Sequence, residues 1–455
     1  MHPLLVNRVI FPLHERLKGK RTQARLKELE RTQWLSPAAL QELQFRRLRQ
    51  HLEFAYREVP YYTRLLDEHG LQPWRVTSLE EFARIPCLTK EVIRGQFDDL
   101  RPRTEVRGVQ RMSTGGSTGT PVTVLVDRER TAFTDAARLR THRWFGVDMG
   151  AREVVLWGSP IELTRQDLLR AVRDRLINSR LLSAFDLGEA ALARYAEVLR
   201  RDRPQKVYGY ASALYLMARY LNRIGWSATG RWPRVVFTTA EPLYGFQRAL
   251  IQAVFACPVS VEYGSRDAGL IATECPAGGL HIPAEGMLVE VLGGPGTNDG
   301  EGELVVTNLD SYAMPMIRYR TGDVGALEEV PCPCGRGLPR LRSIEGRQTD
   351  FLVTPAGKVM HALAAIYILR EVPSIREFQV IQERLDRVSV TIVPDGGFSK
   401  PAQEALASRL ARLFDDGVQV EILVADFIAR PPSGKHRYVI SNVAREYLDS
   451  LLAVE

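Results

Sequence analysis

The sequence predicts an α/β fold, and three features carry that expectation. Between residues 122 and 262, short apolar runs alternate with helical stretches at the spacing of βαβ units. After Gly286, strand-like patterns at Met287 to Leu292 and Glu303 to Thr307 flank a turn rich in Gly, Pro, Asn and Asp, the mark of antiparallel pairing. Beyond Gly346 the chain changes character again and reads as a compact α+β unit. The expected architecture is a large N-terminal body with parallel sheets and helices, followed by a small α+β C-terminal domain.

The elements follow in order. Arg21 to Asp67 is helical: Leu40, Leu43, Leu48, Leu52 and Phe54 recur among charges, Ser36-Pro37 is a helix start, and Val59-Pro60-Tyr61-Tyr62 interrupts the pattern. Leu79 to Phe97 reads as one or two short helices. Val122 to Val126 is a strand beside a glycine-rich loop, and an amphipathic helix runs from about Arg128 to Trp144. Strands at Glu153 to Trp157, Lys206 to Gly209, Val235 to Thr238 and Val259 to Glu262 are separated by helices at Leu192 to Arg201 and Ala211 to Ile224. In the C-terminal unit the pattern gives helices at His361 to Glu371 and Pro401 to Phe414, with strands at Phe378 to Gln382, Val388 to Val393 and Val418 to Val424. The expected division is a helical region over 1–100 packed on the body, a body proper over 101–347, and a C-terminal domain over 348–455. The last boundary lies between Arg347 and Phe351.

Composition narrows the function classes. Of the 455 residues, 45% are hydrophobic and 25% charged, which supports a sizeable core. Lys and Arg number 61 against 54 acids, a net charge of +7 with no basic tail, which suits small anions better than nucleic acid. No apolar run reaches the roughly 20 residues of a membrane span, and the apolar start is soon broken by Arg8, His14, Glu15 and Arg16. The first apolar residues could still lie against a membrane or another protein. Five cysteines in a chain of this length make no disulfide framework, so a cytoplasmic location is expected. The oligomeric state stays open, a homodimer included.

Two constellations carry chemistry. Ser113-Thr114-Gly115-Gly116-Ser117-Thr118-Gly119-Thr120-Pro121 combines three glycines, which let backbone N–H groups approach a polyanion, with hydroxyl donors for phosphate oxygens. It has no lysine and so is not a Walker loop. Taken alone, such a stretch is as readily a linker. The second constellation is Cys275 and His281 with Cys332 and Cys334, three thiols and one imidazole suited to tetrahedral Zn²⁺ if the fold unites them. Four protein ligands would close the coordination sphere, which makes the metal structural; otherwise these are ordinary loop residues. Cys87 and Cys257 are expected in the core.

The glycine-rich loop resembles the phosphate-binding loop of the adenylate-forming superfamily, and further segments match in the same order. Ala240-Glu241-Pro242 is similar to the adenine-side turn. Glu262-Tyr263-Gly264-Ser265-Arg266-Asp267 resembles the Tyr-Gly-x-Thr-Glu segment. Tyr319-Arg320-Thr321-Gly322-Asp323 matches the ribose-binding motif, Gly346-Arg347-Gln348-Thr349-Asp350 the hinge motif, and Pro432-Ser433-Gly434-Lys435 the C-terminal Gly-Lys motif. One match means little, whereas six in sequence are specific. Within the superfamily the chain looks most like the phenylacetate–CoA ligase family and its capsule-polysaccharide-biosynthesis relatives. Val59 to Tyr62, Tyr208-Gly209-Tyr210 and Cys332-x-Cys334-Gly335-Arg336 carry that likeness.

The resemblance implies an enzyme that activates a carboxylic acid with ATP as an acyl-adenylate, releases pyrophosphate and passes the acyl group to coenzyme A. Ser113 to Thr120 would hold the β,γ-phosphates and Asp323 the ribose hydroxyls. Arg347 would reach the ribose or a phosphate, and Lys435 would bridge the substrate carboxylate and the α-phosphate. Asp267 would help hold Mg²⁺, and the C-terminal domain would swing about Asp350. Arg266 and Asp267 depart from the family, which has Thr then Glu there. Asp is one methylene shorter, and Arg266 can neutralise phosphate or pair with Asp267 instead. Trp157, Tyr208 and Tyr210, at predicted strand ends, would line the acyl pocket, where an aromatic or medium apolar acid would fit. Two other outcomes stay open: delivery of the adenylate to an amine, a sugar hydroxyl or a carrier protein, and a nucleotide-binding regulatory or scaffold protein with weakened catalysis.

Overall fold

The computed structural model describes residues 2–113, 122–157, 174–184, 187, 189–226, 232–293, 300–347, 351–355, 359–361, 363–372, 374–395, 397–414, 417–429 and 438–443. One mixed sheet of eleven strands organises the body. Its strands are β3 (Glu153–Trp157), β4 (Ser179–Ser183), β5 (Lys206–Tyr210), β6 (Val235–Thr239), β7 (Val259–Ser265), β8 (Gly269–Glu274), β9 (Leu280–His281), β10 (Met287–Leu292), β11 (Glu301–Asn308), β12 (Met316–Glu328) and β13 (Arg340–Arg347). The spatial order is β10-β11-β12-β13-β9-β8-β7-β6-β5-β3-β4.

From β4 to β7 the neighbours are parallel, as the βαβ pattern predicts. From β7 to β10 every pair is antiparallel. The halves meet at β7, and within the antiparallel half β8 and β13 are joined only through β9, a strand of two residues. A separate hairpin of β1 (Gln110–Ser113) and β2 (Thr123–Val126) is closed by the glycine-rich segment, with Ser113 opposite Thr123.

The helical N-terminal region is built as its periodicity suggests. The Pro37–Glu58 helix starts on Ser36, whose hydroxyl accepts the Ala39 N–H. It buries Leu40, Gln44, Leu48, His51, Leu52 and Ala55, a stripe at three- and four-residue steps. Val59 alone is extended; Pro60 then opens a new helix, Pro60–Glu68, where its missing N–H costs nothing. Short helices at Leu79–Phe82 and Lys90–Gly95 are capped by Ser78 and Thr89. These helices pack with β2 and the antiparallel half in one core, whereas β3 to β7 and their helices form another.

Two readings are corrected. The Arg128–Trp144 helix buries Arg130, Arg140, Thr141 and His142 along with its apolar residues, so it is not amphipathic. Cys87 and Cys257 are half-buried rather than core residues. Among the described residues, no helix is long and apolar enough to cross a membrane.

His51 is fully buried, its ring edge-on to Tyr312, and neither ring nitrogen has a hydrogen-bond partner among the described residues. Burial lowers its pKa from 6.5 to about 4. The sign follows: above about pH 6.5 both folded and unfolded chains carry the neutral ring, and below it the unfolded chain takes the proton first. This residue should therefore remove about 3 kcal/mol of stability as pH falls from 6.5 toward 4. Thermal melts near pH 7.5 and pH 5 should show a smaller acid loss in His51→Phe than in wild type. An equal loss would show that His51 does not contribute.

The C-terminal domain has its own four-stranded sheet, ordered β18 (Gln419–Val424), β17 (Arg387–Pro394), β16 (Ile375–Arg384), β19 (Val439–Ser441). A two-stranded piece, β14 (Phe351–Val353) with β15 (Val359–His361), precedes it. Phe378, Val380, Val388, Val390 and Ile392 pack against Leu406, Leu410 and Phe414 of the Lys400–Phe414 helix. The domain touches the body where Arg219 bonds Asp395 (2.7 Å) and Gln247 bonds the Tyr438 hydroxyl (3.2 Å).

Candidate active site

The parallel strands deliver their C-terminal ends to one region, where open α/β sheets bind ligands. β6 runs into Ala240-Glu241-Pro242, and Ala240 takes a left-handed conformation (φ +66°) that a residue with a Cβ seldom adopts. The turn sends the Glu241 carboxylate onto the Ser212 N–H (2.8 Å), where it caps the Ala211–Arg223 helix. The Ala240–Pro242 segment is thus fixed through its acid.

Tyr263, Asp323 and Arg347 come together although they lie on β7, β12 and β13. The Tyr263 hydroxyl donates to Asp323 Oδ2 at 2.8 Å. Arg347 sits directly across the antiparallel pair from Asp323, and only its backbone is described. Local chemistry aims the carboxylate. Gly322 is left-handed (φ +76°), its N–H is held by Glu303, and the Asp323 N–H donates to the Thr321 hydroxyl (3.1 Å). A register shift follows at Asp323 and Val324, the kind of bulge that redirects a side chain.

The β7–β8 turn carries Arg266 and Asp267. Gly264 is required for its tightness: a Cβ there would lie 2.3 Å from the Gly269 carbonyl oxygen. The Arg266 guanidinium reaches the Ser113 carbonyl (3.4 Å), at the mouth of the glycine-rich loop. Asp267 is buried, and both its oxygens serve the chain. Oδ1 accepts from the Ser265 hydroxyl and the Ala268 N–H, and Oδ2 from the Tyr319 hydroxyl (2.5 Å). With both oxygens engaged by the chain, Asp267 does not fit the Mg²⁺-holding role that the resemblance implies.

Sequence reasoning missed Arg130. It is fully buried, donates to the carbonyls of Asp267 (2.5 Å) and Arg266 (3.3 Å), and so pins the turn from behind. Burial drives its pKa down to about 10 against the pull of Asp267 and Asp127. It also missed Arg138, which makes a two-pronged bond to Glu262 (2.8 and 2.7 Å). Burial opposes the Glu262 charge, but Arg138 outweighs it and keeps the acid below its ordinary range. No local pattern separates these arginines from surface ones.

Trp157, Tyr208 and Tyr210 do cluster at the ends of β3 and β5. Trp157 lies 4.4 Å from Tyr210 and 6.1 Å from Tyr208, ring centre to ring centre. Their surroundings differ. Tyr210 is 1% exposed and belongs to the core, whereas the Tyr208 hydroxyl donates to Glu262 (2.8 Å). Burial, then the Glu262 charge, raises the Tyr208 pKa.

The second constellation also assembles. The ligand atoms of Cys275, His281, Cys332 and Cys334 all lie within 4.8 Å of one another. Cys275 and Cys332 sulfurs are 3.7 Å apart, close to the roughly 3.8 Å edge of a tetrahedron with ~2.3 Å Zn–S bonds and far too long for a disulfide. Cys334 Sγ is 3.2 Å from His281 Nε2. His281 Nδ1 donates to the Leu338 carbonyl (3.1 Å), which orients Nε2 toward the thiols. Burial lowers the His281 pKa to about 4, so the ring is neutral, as a ligand must be. Gly279 lets the Cys332 sulfur approach, since a Cβ would meet it at 2.7 Å. The neighbouring Arg336 stacks over Trp34 and Trp144, which fastens this loop to the Arg128–Trp144 helix and to the turn after the Thr22–Thr32 helix.

Thr114, Gly115, Gly116, Ser117, Thr118, Gly119, Asp350 and Lys435 lie outside the described residues. Ser113 is described, exposed at the end of β1.

Comparison with known proteins agrees with this geometry. Residues 352–442 match the family described as the CapK C-terminal domain. Over 414 residues the chain is 25% identical to Protein CapK of Staphylococcus aureus, covering 88% of this chain and 89% of that protein. Over 446 residues it is 25% identical to the phenylacetate-coenzyme A ligase of Thermus thermophilus, covering 88% and 96%. The structure superposes on 2-hydroxyisobutyryl-CoA ligase in the postadenylation state with a TM-score of 0.70 at 21% identity, covering 93% of this chain and 94% of that one, which establishes the fold. The chain is thus similar over most of its length to CapK and the phenylacetate-coenzyme A ligases, and it has the adenylate-forming fold with a separate C-terminal domain.

Proposed function

We propose that the chain is an AMP-forming ligase that converts a carboxylic acid and ATP into an acyl-adenylate and pyrophosphate, then transfers the acyl group to the thiol of coenzyme A. The observation that carries this reading is the half-exposed Asp323 carboxylate, oriented by Tyr263, with the Arg347 backbone directly opposite on the neighbouring strand. A carboxylate can accept both hydroxyls of a ribose, and a guanidinium beside it can meet ribose or phosphate.

In the first step a carboxylate oxygen of the acid forms a bond to the α-phosphorus, and the bond from that phosphorus to the bridging oxygen breaks. Negative charge leaves on pyrophosphate, and Arg266 at the loop mouth would offset it. Lys435 would bridge the acid and the α-phosphate, bringing two anions into line. In the second step the thiol sulfur bonds to the acyl carbon, AMP leaves and the thiol proton is lost. The C-terminal domain after Arg347 would act as the lid, swinging about Asp350. The acyl pocket would lie beside Trp157 and Tyr208, with Tyr210 packed behind them in the core.

ATP–pyrophosphate exchange across a panel of carboxylic acids tests the reading. Exchange with one acid class, consumption of coenzyme A and loss of exchange in Lys435→Ala are expected. Exchange with no use of coenzyme A would hand the acyl group to another acceptor, and none with any acid would favour a non-catalytic nucleotide binder.

We also infer that Cys275, His281, Cys332 and Cys334 hold a structural Zn²⁺. Purified protein should contain about one zinc per chain, and Cys332→Ser with Cys334→Ser should lose it and lower the melting temperature. Wild-type protein free of zinc would remove this assignment.

A further inference from the structure

Ahead of the Thr22–Thr32 helix the chain is continuously helical through Pro3–Leu5, a π-turn at Val6–Ile10 and Phe11–Lys18. One side is fastened to the body. Val6 is buried, Asn7 donates to Asp148 (2.9 Å), and the buried Glu15 carboxylate accepts the N–H groups of Thr22 and Gln23. The opposite side carries Leu4, Leu5, Val9, Leu13 and Leu17, which are 56, 47, 53, 56 and 80% exposed. From Leu5 to Leu17 they recur every four residues, so they form one stripe on one helix face. Scattered exposed leucines need no explanation, but a continuous stripe does. Packing on the body does not supply one, because the body side of the helix is already occupied.

The charge around the stripe selects the partner. Between Met1 and Lys27 there are seven Lys and Arg residues and one acid, the inward-facing Glu15. Arg8 and Arg16 are exposed within the stripe itself. A second copy meeting this face by two-fold symmetry would bring like charges together. We propose that this helix docks on an anionic lipid bilayer surface, lying in the interfacial plane with the leucine stripe inserted and Arg8 and Arg16 against headgroup phosphates. An interfacial helix needs this combination of a moderate apolar face and a cationic border, and it needs no spanning length. The inference does not depend on the ligase reading, because it concerns where the chain sits and not what it catalyses.

Flotation of the full chain with vesicles is the test, using phosphatidylcholine alone and phosphatidylcholine with about one-third phosphatidylglycerol. Wild type should float with the anionic vesicles and far less with the neutral ones, and added salt should weaken binding. Leu13→Glu with Leu17→Glu should lower partitioning at least roughly tenfold, and Arg8→Ala with Arg16→Ala should lower it while flattening the salt dependence. These side chains are exposed, so melting temperatures should hold; Val9→Glu is a milder variant for the same reading. Failure of wild type to float, equal flotation with neutral vesicles, or undiminished flotation of the leucine pair variant would each overturn the proposal. So would a dimer, seen by light scattering, that the leucine variant dissolves when wild type ignores vesicles.

Discussion

Asp323→Ala is expected to lower kcat/KM for ATP by roughly two to four orders of magnitude in the exchange assay. Two hydrogen bonds from ribose hydroxyls to a charged acceptor contribute about 1.5–3 kcal/mol each, and alanine removes both. The ribose is remote from the bond that breaks, so these contacts exist in the bound substrate as well as in the transition state. The loss should therefore fall mainly on KM for ATP, with kcat less affected. Tyr263→Phe is the graded companion. It keeps the carboxylate but removes the hydroxyl that aims Oδ2, and should cost about tenfold. Asp323 is half-exposed, so the alanine variant should fold, and a thermal melt checks that. An unchanged KM for ATP in Asp323→Ala would refute the ribose assignment.

Glu285→Ala should destabilise the body by about 3–5 kcal/mol. Glu285 and Arg140 are 0% and 1% exposed, paired at 2.7 Å, and the same carboxylate oxygen accepts the Thr32 hydroxyl. Arg140 also donates to the Leu29 carbonyl, and Arg47 to the Glu285 carbonyl. The cluster joins the first body helices to the Arg128–Trp144 helix and to the turn before β10. Removing the acid leaves a guanidinium buried without its counter-charge, and that penalty, more than the lost bond, sets the magnitude. Arg140→Met with Glu285→Leu removes both charges and should recover most of the loss. Denaturant melts of the first unfolding transition measure both. A single variant as stable as wild type would mean that water or another group compensates.

The sequence made some of this legible and hid the rest for identifiable reasons. The parallel strands announce themselves because each is a short apolar run with helices between, and Val235 to Thr239 is buried at every position. The motif residues Tyr263 and Asp323 could be named from their order along the chain. Their meeting could not, because it depends on how three intervening strands fold between β7 and β12. The arginines of the Arg128–Trp144 helix were hidden for a related reason. Arg130, Arg138 and Arg140 sit in a helix whose composition reads as solvent-facing, and their partners lie more than a hundred residues away. The cysteine set was visible as residue types, but only β9, too short to leave a periodic signal, brings the two pairs together.

That strand has a consequence for how the sheet resists opening. Leu280 and His281 form the whole ladder between β8 and β13, so the protein's widest sheet is thinnest at its middle. Elsewhere such a join would be the first to breathe, since few bonds must break there. Here the imidazole of His281 faces three thiols, so a metal bound among them would tie the end of β8, β9 and the loop before β13 across the join. With that metal in place, the line along which the body would otherwise part would become the one most resistant to pulling, and Tyr263 and Asp323 on either side would keep their alignment.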